Sequence, residues 1–357
     1  MSKYINGLLQ MSAVSVVMMS AIFAEQTSMS NPPAQTCQMG NMCSNYPMLN
    51  NGYDVHMDIG YLLEQFVLTG TDFSFTNEGI YDSLPASVKM KRPQFNVASG
   101  LTAELGYFFK HDNWFLNTRF DWVSRKGHGN WSADNSVASV VPTGVWLQAD
   151  PADVSYFQEV DSSLKVSYYN LQMDLNRGSF VTKNLAVEPH VGLKAAFIYY
   201  TGHQEFEGDQ TIFNLEREQS TQFWGLGPDF GMNTQWNFCN NFSMYCDTTV
   251  ALLCGGVRVS DEVEFNGVES DINGTYATAN PIVMSPTVRA VLGLQYNTGI
   301  FDNSQNVRFR IGLDSAYYWN QFQHINAGDA EDYSTFNFAD NGGFGMMGMI
   351  VELGWDF

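Results

Sequence analysis

Twelve charged side chains occur at alternating positions within short apolar segments, and they are the residues whose type and spacing are most suggestive of function. Both signs of charge are present among them. Because unpaired charge is costly to bury, such side chains either line a water-filled lumen or neutralise one another in a plug-like network. These pore-lining candidates are Glu104, Arg119, Asp121, Asp174, Glu188, Lys194, Asp229, Arg289, Arg308, Arg310, Asp314 and Glu352.

The histidines do not support metal catalysis, because their spacing matches no zinc motif such as H-E-x-x-H. They are His56, His111, His128, His190, His203 and His324. His203 lies close in sequence to Glu205 and Asp209 and could be drawn as part of a protease dyad, but only proximity in sequence favours it. We therefore expect a protein that is not an enzyme, with no catalytic residues, no metal site and no cofactor.

A second set of charges is almost entirely acidic and lies in predicted loops, with Arg217 and Arg258 as the opposing cations. A vestibule of this sign would raise the local cation concentration and could hold a divalent ion through oxygen ligands. A solvated, antigenically variable surface is the alternative that we favour. The acidic residues are Glu205, Glu207, Asp209, Glu216, Glu218, Asp261, Glu262, Glu264, Glu269, Asp271, Asp329, Glu331, Asp332 and Asp340.

The overall charge argues against a nucleic-acid partner. The chain has 17 lysine and arginine residues against 37 aspartate and glutamate residues, a formal net charge of -20. Phosphate backbones would be repelled by this charge, and cations are the favoured mobile species.

The N-terminus has the features of an export signal. Lys3 precedes an apolar stretch over residues 5–23, small residues occur at Ala21 and Ala24, and a polar stretch follows. These features predict a signal peptide over residues 1–24 and a periplasmic N-terminal segment over residues 25–54. No later apolar run reaches the roughly 18 residues of a membrane helix, which excludes a helical membrane protein.

Five cysteines in an exported chain indicate an oxidising compartment. Cys37 and Cys43 are separated by a short segment that could close on itself, and Cys239 lies in a predicted turn. These three are the disulfide candidates, either in one local bond or in cross-links between neighbouring outer-membrane proteins. Cys246 and Cys254 are expected to be buried thiols, and the state of Cys239 stays open.

Ten segments position the charges by alternation of apolar and polar residues, and every charged residue falls on the parity opposite to the apolar set. Successive side chains of a strand point to opposite faces, so one face would meet lipid and the other water. The segments are residues 55–64, 95–107, 114–122, 169–175, 185–199, 224–236, 242–250, 288–296, 307–319 and 347–357.

The connections between these segments alternate in length. The short ones are 110–113, 176–184, 237–241 and 297–305, and the long ones are 67–94, 124–163, 201–221, 254–285 and 320–344. This pattern predicts an all-β, transmembrane, antiparallel up-and-down β-barrel over residues 55–357, with periplasmic termini and long extracellular loops. At least ten strands are expected, and 12 to 16 are the alternative, because residues 137–147 could form another hairpin.

Aromatic residues cluster near the predicted strand ends, as in the two girdles of a membrane barrel. A soluble β-sandwich also alternates, but it needs no aromatic bands at its strand ends. The predicted girdle residues are Phe108, Phe109, Trp114, Trp236, Tyr296 and Trp355 on the periplasmic side, and Trp122, Tyr199, Tyr200, Trp224, Tyr317 and Trp319 on the outer side.

Two stretches resemble known sequence signals. Apolar residues occupy alternate places up to the terminal Phe357, which resembles the C-terminal signal read by the outer-membrane barrel-assembly machinery. The run Phe223 to Pro228, with Gly231, Trp236, Leu252, Leu253 and Gly255 after it, resembles the central signature of the Legionella-type major outer membrane protein family, which includes members from chlamydia-like bacteria. Cys254 departs from this pattern, which has an aromatic residue there.

The resemblance implies an abundant porin of the bacterial outer membrane with surface-exposed loops. We expect passive diffusion of small hydrophilic solutes with weak cation preference. The alternative is a non-conducting surface adhesin or structural barrel, because ten strands make a barrel between the filled and the channel-forming types. Expected partners are outer-membrane lipid and lipopolysaccharide, the assembly machinery through Phe357, a second copy of the chain and a host surface ligand.

Overall fold

A computed structural model describes residues 54–69, 74–77, 88–109, 114–132, 139–142, 157–177, 179–182, 184–208, 213–238, 241–267, 272–300, 305–327 and 336–357. The predicted signal peptide, nearly all of the predicted N-terminal segment, and Cys37, Cys43 and Cys239 lie outside these residues. No helix in the described residues is long and apolar enough to span a membrane.

Fifteen strands are present in the described residues, and all of their pairings are antiparallel. They are β1 (Asp54–Leu68), β2 (Ser74–Asn77), β3 (Val88–Lys91), β4 (Ala98–Phe109), β5 (Trp114–Ser132), β6 (Ser139–Pro142), β7 (Phe157–Arg177), β8 (Ser179–Phe180), β9 (Leu185–Gly208), β10 (Phe213–Asn237), β11 (Phe242–Gly267), β12 (Ile272–Ala279), β13 (Ile282–Ile300), β14 (Gln305–Ala327) and β15 (Phe336–Asp356).

Ten of the strands in the described part of the chain close into a barrel. Their order around the wall is β1, β4, β5, β7, β9, β10, β11, β13, β14 and β15, and β15 pairs with β1 again. Backbone hydrogen bonds between Val55 and Phe357, at 2.9 and 3.0 Å, join the two ends of the wall. The prediction of an antiparallel barrel with ten strands is confirmed, and the alternative of 12 to 16 strands is not.

The extra hairpin suggested for residues 137–147 is not part of the barrel wall. That region contributes the short strand β6, which pairs along its length with β2 and meets β7 at a single residue pair, Val140 with Phe157. Four-residue strands of this kind extend the sheet locally without adding a membrane-spanning strand.

Side chains alternate between the outside and the interior of the barrel as predicted. Leu193 is 57% exposed on the outer face, whereas its neighbour Lys194 is fully buried inside. The same contrast holds for Phe230 and Asp229. A soluble barrel would place its apolar side chains inside, so this outer band is suited to hydrocarbon rather than to water.

The strands continue well beyond this apolar band, and the long loops predicted over 201–221 and 254–285 are wrong. β10 and β11 have 25 and 26 residues, whereas a tilted strand needs only about 9–11 to cross a membrane. Past Tyr199 the polarity of β9 inverts, because Phe206 is buried and Glu205 and Glu207 are exposed. We call the outward-facing parts of β7, β9, β10 and β11 beyond the apolar band the upper wall.

The inversion explains why the sequence predicted loops here. Above the membrane, neither face of a strand contacts lipid. The outer face meets water and is polar, whereas the inner face packs inside the barrel and is apolar. Backbone pairing continues through the change, with Glu205 opposite Glu216 and Glu216 opposite Glu264. The sequence pattern identified each strand by one apolar face. That pattern ends where the inversion begins, so the continuation of the strands was not predicted.

We expect the upper wall to be accessible to a water-soluble thiol reagent on intact cells. In a cysteine-free background, Glu205→Cys should be labelled, because its side chain is exposed above the apolar band. Leu193→Cys on the same strand should resist the same reagent, because its side chain faces the apolar band. Mass spectrometry of the labelled protein measures both, and equal labelling of the two positions would contradict the assignment.

Candidate functional site

The twelve charged residues predicted on the inner face all lie in the interior of the barrel. Eleven of their side chains are buried, and that of Arg119 is 13% exposed. They come from eight different strands, and their alternate positions within each strand place all of them on the inner face of the barrel. The interior is the candidate functional site, and its contents decide whether a solute can pass.

An ion-pair network crosses the interior from wall to wall. Arg289 on β13 donates to Asp121 on β5 at 2.6 Å, although these strands are five apart in either direction around the barrel. Arg289 also donates to Asp314 on the adjacent strand at 3.0 Å. Asp121 accepts further hydrogen bonds from Thr102 at 2.7 Å and from Arg119 at 3.0 Å. The network therefore fixes two opposite walls at this level.

A second ionic cluster lies nearer the short turns. Arg308 donates to Asp58 at 2.7 Å, and Nδ1 of His56 lies 2.6 Å from Asp356. Nε2 of His56 lies 3.1 Å from Asp58. Each of these side chains is buried, and each charge has a partner of opposite sign or a histidine within reach. The cluster joins β1, β14 and β15, where the barrel closes.

Four aromatic side chains cross the interior on the other side of the first network, within a larger cluster of buried apolar residues. The hydroxyls of Tyr168 on β7 and Tyr318 on β14 are 2.5 Å apart, and these two strands also stand on opposite walls. The ring of Phe344 lies 5.6 Å from that of Tyr168 and 6.4 Å from that of Tyr200, measured between centroids. We call Tyr168, Tyr200, Tyr318 and Phe344 the aromatic layer, and it crosses the barrel.

A β-bulge in β14 shapes one side of this layer. Asn320 has a φ of 56°, a left-handed conformation that asparagine tolerates better than most residues, and the register with β15 shifts after Tyr318. Between the pairs Tyr318–Phe344 and Phe322–Gly342, β14 has two more residues than β15, and Tyr318 and Gln321 both point inward. Gln321 then accepts a hydrogen bond from the hydroxyl of Tyr200 at 2.7 Å.

Two residues that we predicted in the aromatic girdles lie inside the barrel instead. Tyr200 belongs to the aromatic layer, and Phe108 is buried against Phe115. Each of these residues follows an outward-facing aromatic or apolar neighbour. Apolar residues therefore occupy both faces of the strand at these positions, and the sequence pattern did not determine which residue points outward. Phe95, which we placed on the outer face, packs against the interior apolar cluster.

A small polar cavity of about 60 Å³ lies in the half of the barrel that carries the short turns. Glu104, Asp174, Glu188, His190 and Asp247 are among the side chains that line it. Gln235, only two residues before the end of β10, also lines it. The cavity therefore lies between the turn end and the aromatic layer.

Buried acidic groups outnumber buried basic groups in the described residues. The carboxylates are Asp58, Glu64, Glu104, Asp121, Asp174, Glu188, Asp229, Asp261, Asp314, Glu352 and Asp356, and the cations are Lys194, Arg217, Arg289, Arg308 and Arg310. Eleven buried carboxylates thus share the interior with these five cations and with Arg119, whose side chain is 13% exposed. An interior of this composition attracts positive charge.

The upper wall carries part of the second, acidic set. Asp161, Glu205, Glu216 and Glu264 occupy directly paired positions on four neighbouring strands, and like charges in such pairs repel. Glu262 is exposed beside them, whereas Asp261 points inward and pairs with Arg217. Of the rest, Asp209, Glu269, Asp271, Asp329, Glu331 and Asp332 lie outside the described residues.

His203 lies on the upper wall and not in the interior. Its Nδ1 is 3.6 Å from Glu216 and 3.9 Å from Glu218, the residues of the neighbouring strand. The pairing that the sequence suggested, with Glu205 and Asp209, is not the one that the sheet register produces. Asp209 lies outside the described residues.

Cys246 and Cys254 are free thiols, and Cys254 corrects our expectation of a buried thiol. It is exposed on the outer face of β11, while Leu253 and Val257 of the same strand are buried inside. Cys246 is half-buried. A cysteine within an otherwise apolar outer band behaves as a small apolar residue facing lipid.

Comparison with known proteins identifies the family. Residues 45–357 match the model of the family described as the Legionella pneumophila major outer membrane protein precursor. The chain belongs to this family. The Legionella-type major outer membrane protein family is the one that the stretch Phe223–Pro228 and the residues after it resemble, and the match covers most of the chain. The barrel is therefore a protein of the bacterial outer membrane.

Solved structures similar to this chain are outer-membrane proteins of low sequence identity. The outer membrane protease OmpT from Escherichia coli is 11% identical with a TM-score of 0.40, covering 88% of this chain and 99% of its own. The attachment invasion locus protein Ail of Yersinia pestis is 12% identical with a TM-score of 0.23, covering 85% and 99%. A Pseudomonas aeruginosa FadL homologue is 7% identical with a TM-score of 0.25, covering 85% and 90%. No curated protein matches the chain.

Sequence analysis missed the aromatic layer of the interior. A usable signal was present in Tyr168, Tyr318 and Phe344, which are large aromatic residues at inward positions of predicted or neighbouring strand segments. Only knowledge of which strands stand opposite each other shows that these rings meet.

Proposed function

We propose that this protein is a gated porin that admits small hydrophilic solutes and prefers cations. The observation that carries the proposal is the excess of buried carboxylates over cationic side chains in the interior of the barrel. Fixed negative charge along a narrow path raises the local concentration of cations and lowers that of anions. A weak cation preference follows from this distribution.

Unpartnered polar atoms support a hydrated interior. Within the described residues, both carboxylate oxygens of Glu64 and of Asp229 are buried without a hydrogen-bond partner, and so is Nζ of Lys194. Such groups are destabilising in a dry interior, which favours their solvation by water or ions. A purely structural barrel would be more stable with apolar side chains at these positions. Their presence favours a water-filled path through the charged half of the barrel.

The aromatic layer is the proposed gate. Its rings cross the barrel on the extracellular side of the cavity, and the Tyr168–Tyr318 hydrogen bond holds opposite walls together. A hydrophilic solute passes only when these rings separate, as in channels that gate at an apolar constriction. The bulge at Asn320 next to Tyr318 gives β14 a local irregularity at which this movement can occur.

Recordings in a planar lipid bilayer test the proposal with the purified wild-type protein. We expect brief, stepwise openings with small conductance, because the closed arrangement of the gate must open for each. In a KCl gradient the reversal potential should have the sign of cation preference. Silence in repeated preparations of folded protein, or a reversal potential of anion preference, would contradict the proposed function.

A permanently closed surface barrel is the second candidate. The contacts that join opposite walls, Arg289 with Asp121 and Tyr168 with Tyr318, favour it. Its role would then lie in the exposed acidic upper wall, which suits a cationic host ligand or a structural contact with lipopolysaccharide through bridging cations. Silent wild-type bilayers combined with ligand binding to intact cells would select this candidate.

The proposal includes contacts of the barrel with the assembly machinery, with lipid and with a second copy of the chain. Phe357 and Trp355 form an exposed ring pair at the end of β15, 6.2 Å apart, where the barrel-assembly machinery can bind the C-terminus. The apolar outer band would contact lipid and a second copy of the chain. We propose no catalytic role for the interior.

A further inference from the structure

The interior wall contains a recess flanked by two carboxylates. Gly192 on β9 pairs with Asp174 on β7 and with Asp229 on β10, so the three residues form one row across adjacent strands. All three face the interior, and the central member has no side chain. The row therefore has acidic side chains on both sides of a glycine, and we call the place over Gly192 where they meet the recess.

The two carboxylates converge over Gly192. A Cβ atom at Gly192 would lie 2.2 Å from Oδ1 of Asp174 and 2.8 Å from Oδ1 of Asp229. These oxygens therefore occupy the space that any other residue would fill. Asp229 is fully buried and Asp174 is 7% exposed, so water outside the barrel does not solvate them.

Most of the acceptor capacity of these carboxylates is unused. Both oxygens of Asp229 and Oδ1 of Asp174 have no hydrogen-bond partner in the described residues, and Gln172 donates only to Oδ2 of Asp174, at 2.7 Å. Two ionised carboxylates at such close range repel each other strongly where water is excluded. Positive charge in the recess would remove this repulsion.

The neighbouring basic group does not supply enough of that charge. Lys194 lies two residues along β9, but its Nζ is positioned over the ring of Tyr318 at 5.1 Å and makes no hydrogen bond in the described residues. Even if its full charge acted on the recess, one ammonium would balance only one of two carboxylates. His190, on the other side of Gly192, uses its Nε2 in a contact with Thr249 at 3.3 Å.

We propose that the recess binds one divalent metal cation of the hard, oxygen-preferring class, with Asp174 and Asp229 as its ligands. Carboxylate oxygens that converge from two strands are the donors that Ca²⁺ and Mg²⁺ prefer. Asp174 and Gln172 line the polar cavity, which gives a hydrated cation a route to the recess. The inference goes beyond the proposed function, because the cation would link β7 to β10 whether or not the barrel conducts.

Equilibrium dialysis with radioactive Ca²⁺ tests this site on the folded full-length protein in detergent. The variants are Asp174→Asn and Asp229→Asn, each of which keeps the shape of the side chain and removes one charge. Glu207→Gln is the matched control, because it removes an exposed carboxylate that lies outside the group of His203, Glu216 and Glu218. Boiling-sensitive gel mobility verifies that each preparation is folded before dialysis.

We expect the wild-type protein and Glu207→Gln to bind one more Ca²⁺ per chain than either recess variant. Equal binding by all four proteins, or loss of the ion only in Glu207→Gln, would overturn the proposal. If the two carboxyls share a proton instead, the wild-type protein will bind no Ca²⁺ in the recess. This result also overturns the proposal. If neither recess variant folds, the wild-type unfolding temperature decides: it should fall when EGTA removes Ca²⁺, and an unchanged temperature refutes the site. No arm of the experiment depends on conductance.

Discussion

The double variant Tyr168→Ala, Tyr318→Ala is expected to conduct steadily in planar bilayers, where the wild-type protein opens only briefly. The two hydroxyls meet at 2.5 Å between opposite walls, and the ring of Phe344 packs against both tyrosine rings. Truncation to alanine removes the rings from the centre of the barrel. We expect the time spent in the open state to rise several-fold and the conductance of each step to increase.

Two controls separate loss of the gate from general damage. Tyr168→Phe with Tyr318→Phe keeps the rings and removes only the hydrogen bond, so it should stay mostly closed. Tyr199→Ala removes a ring of similar size from the outer face of β9, where it is 38% exposed, and should conduct like the wild type. If the alanine variant is folded and remains as closed as the phenylalanine variant, the aromatic layer is not the gate.

Asp121→Ala should be among the most destabilising single substitutions in the barrel. Asp121 accepts from Thr102, Arg119, Asn170 and Arg289, and its removal leaves two buried guanidinium groups without their shared partner. Loss of one member of a buried ion pair typically lowers the free energy of unfolding by about 3–5 kcal/mol. Urea unfolding in detergent, followed by boiling-sensitive gel mobility, measures the change.

Glu216→Gln is the control for this measurement. Glu216 lies on the upper wall with 42% of its side chain exposed, opposite two other glutamates in the sheet. Exposed charges contribute little, so its substitution should alter the free energy of unfolding by about 0.5 kcal/mol or less. A loss in Asp121→Ala no larger than that of the control would show that the network is not essential to the barrel.

The facing of the interior charges could be predicted from the sequence, and their partners could not. Strand parity placed Asp121 and Arg289 on the inner face, because a charged residue opposite an apolar set in a membrane strand must point away from lipid. Their contact depends on the closure of the barrel at ten strands, which makes β5 and β13 opposite walls. Parity holds no information on which strands face each other across the lumen.

The strand ends beyond the membrane were missed for a different reason. Tyr199 and Tyr200 are consecutive, so apolar residues occupy both faces of β9 where its polarity inverts. Beyond them the acidic residues of the outer face are typical of loops by composition, although the strand runs on to Gly208. The resemblance in the stretch Phe223–Pro228 identified the family, but it held no information on the length of the strands.

The reversal potential of the Tyr168→Ala, Tyr318→Ala variant in a KCl gradient tests the central claim most directly, because it depends on both the layer that closes the interior and the excess of carboxylates inside the barrel. The account predicts a sustained current whose reversal potential has the sign of cation preference. A sustained current with anion preference, or no current through folded barrels that lack both tyrosine rings, would contradict it.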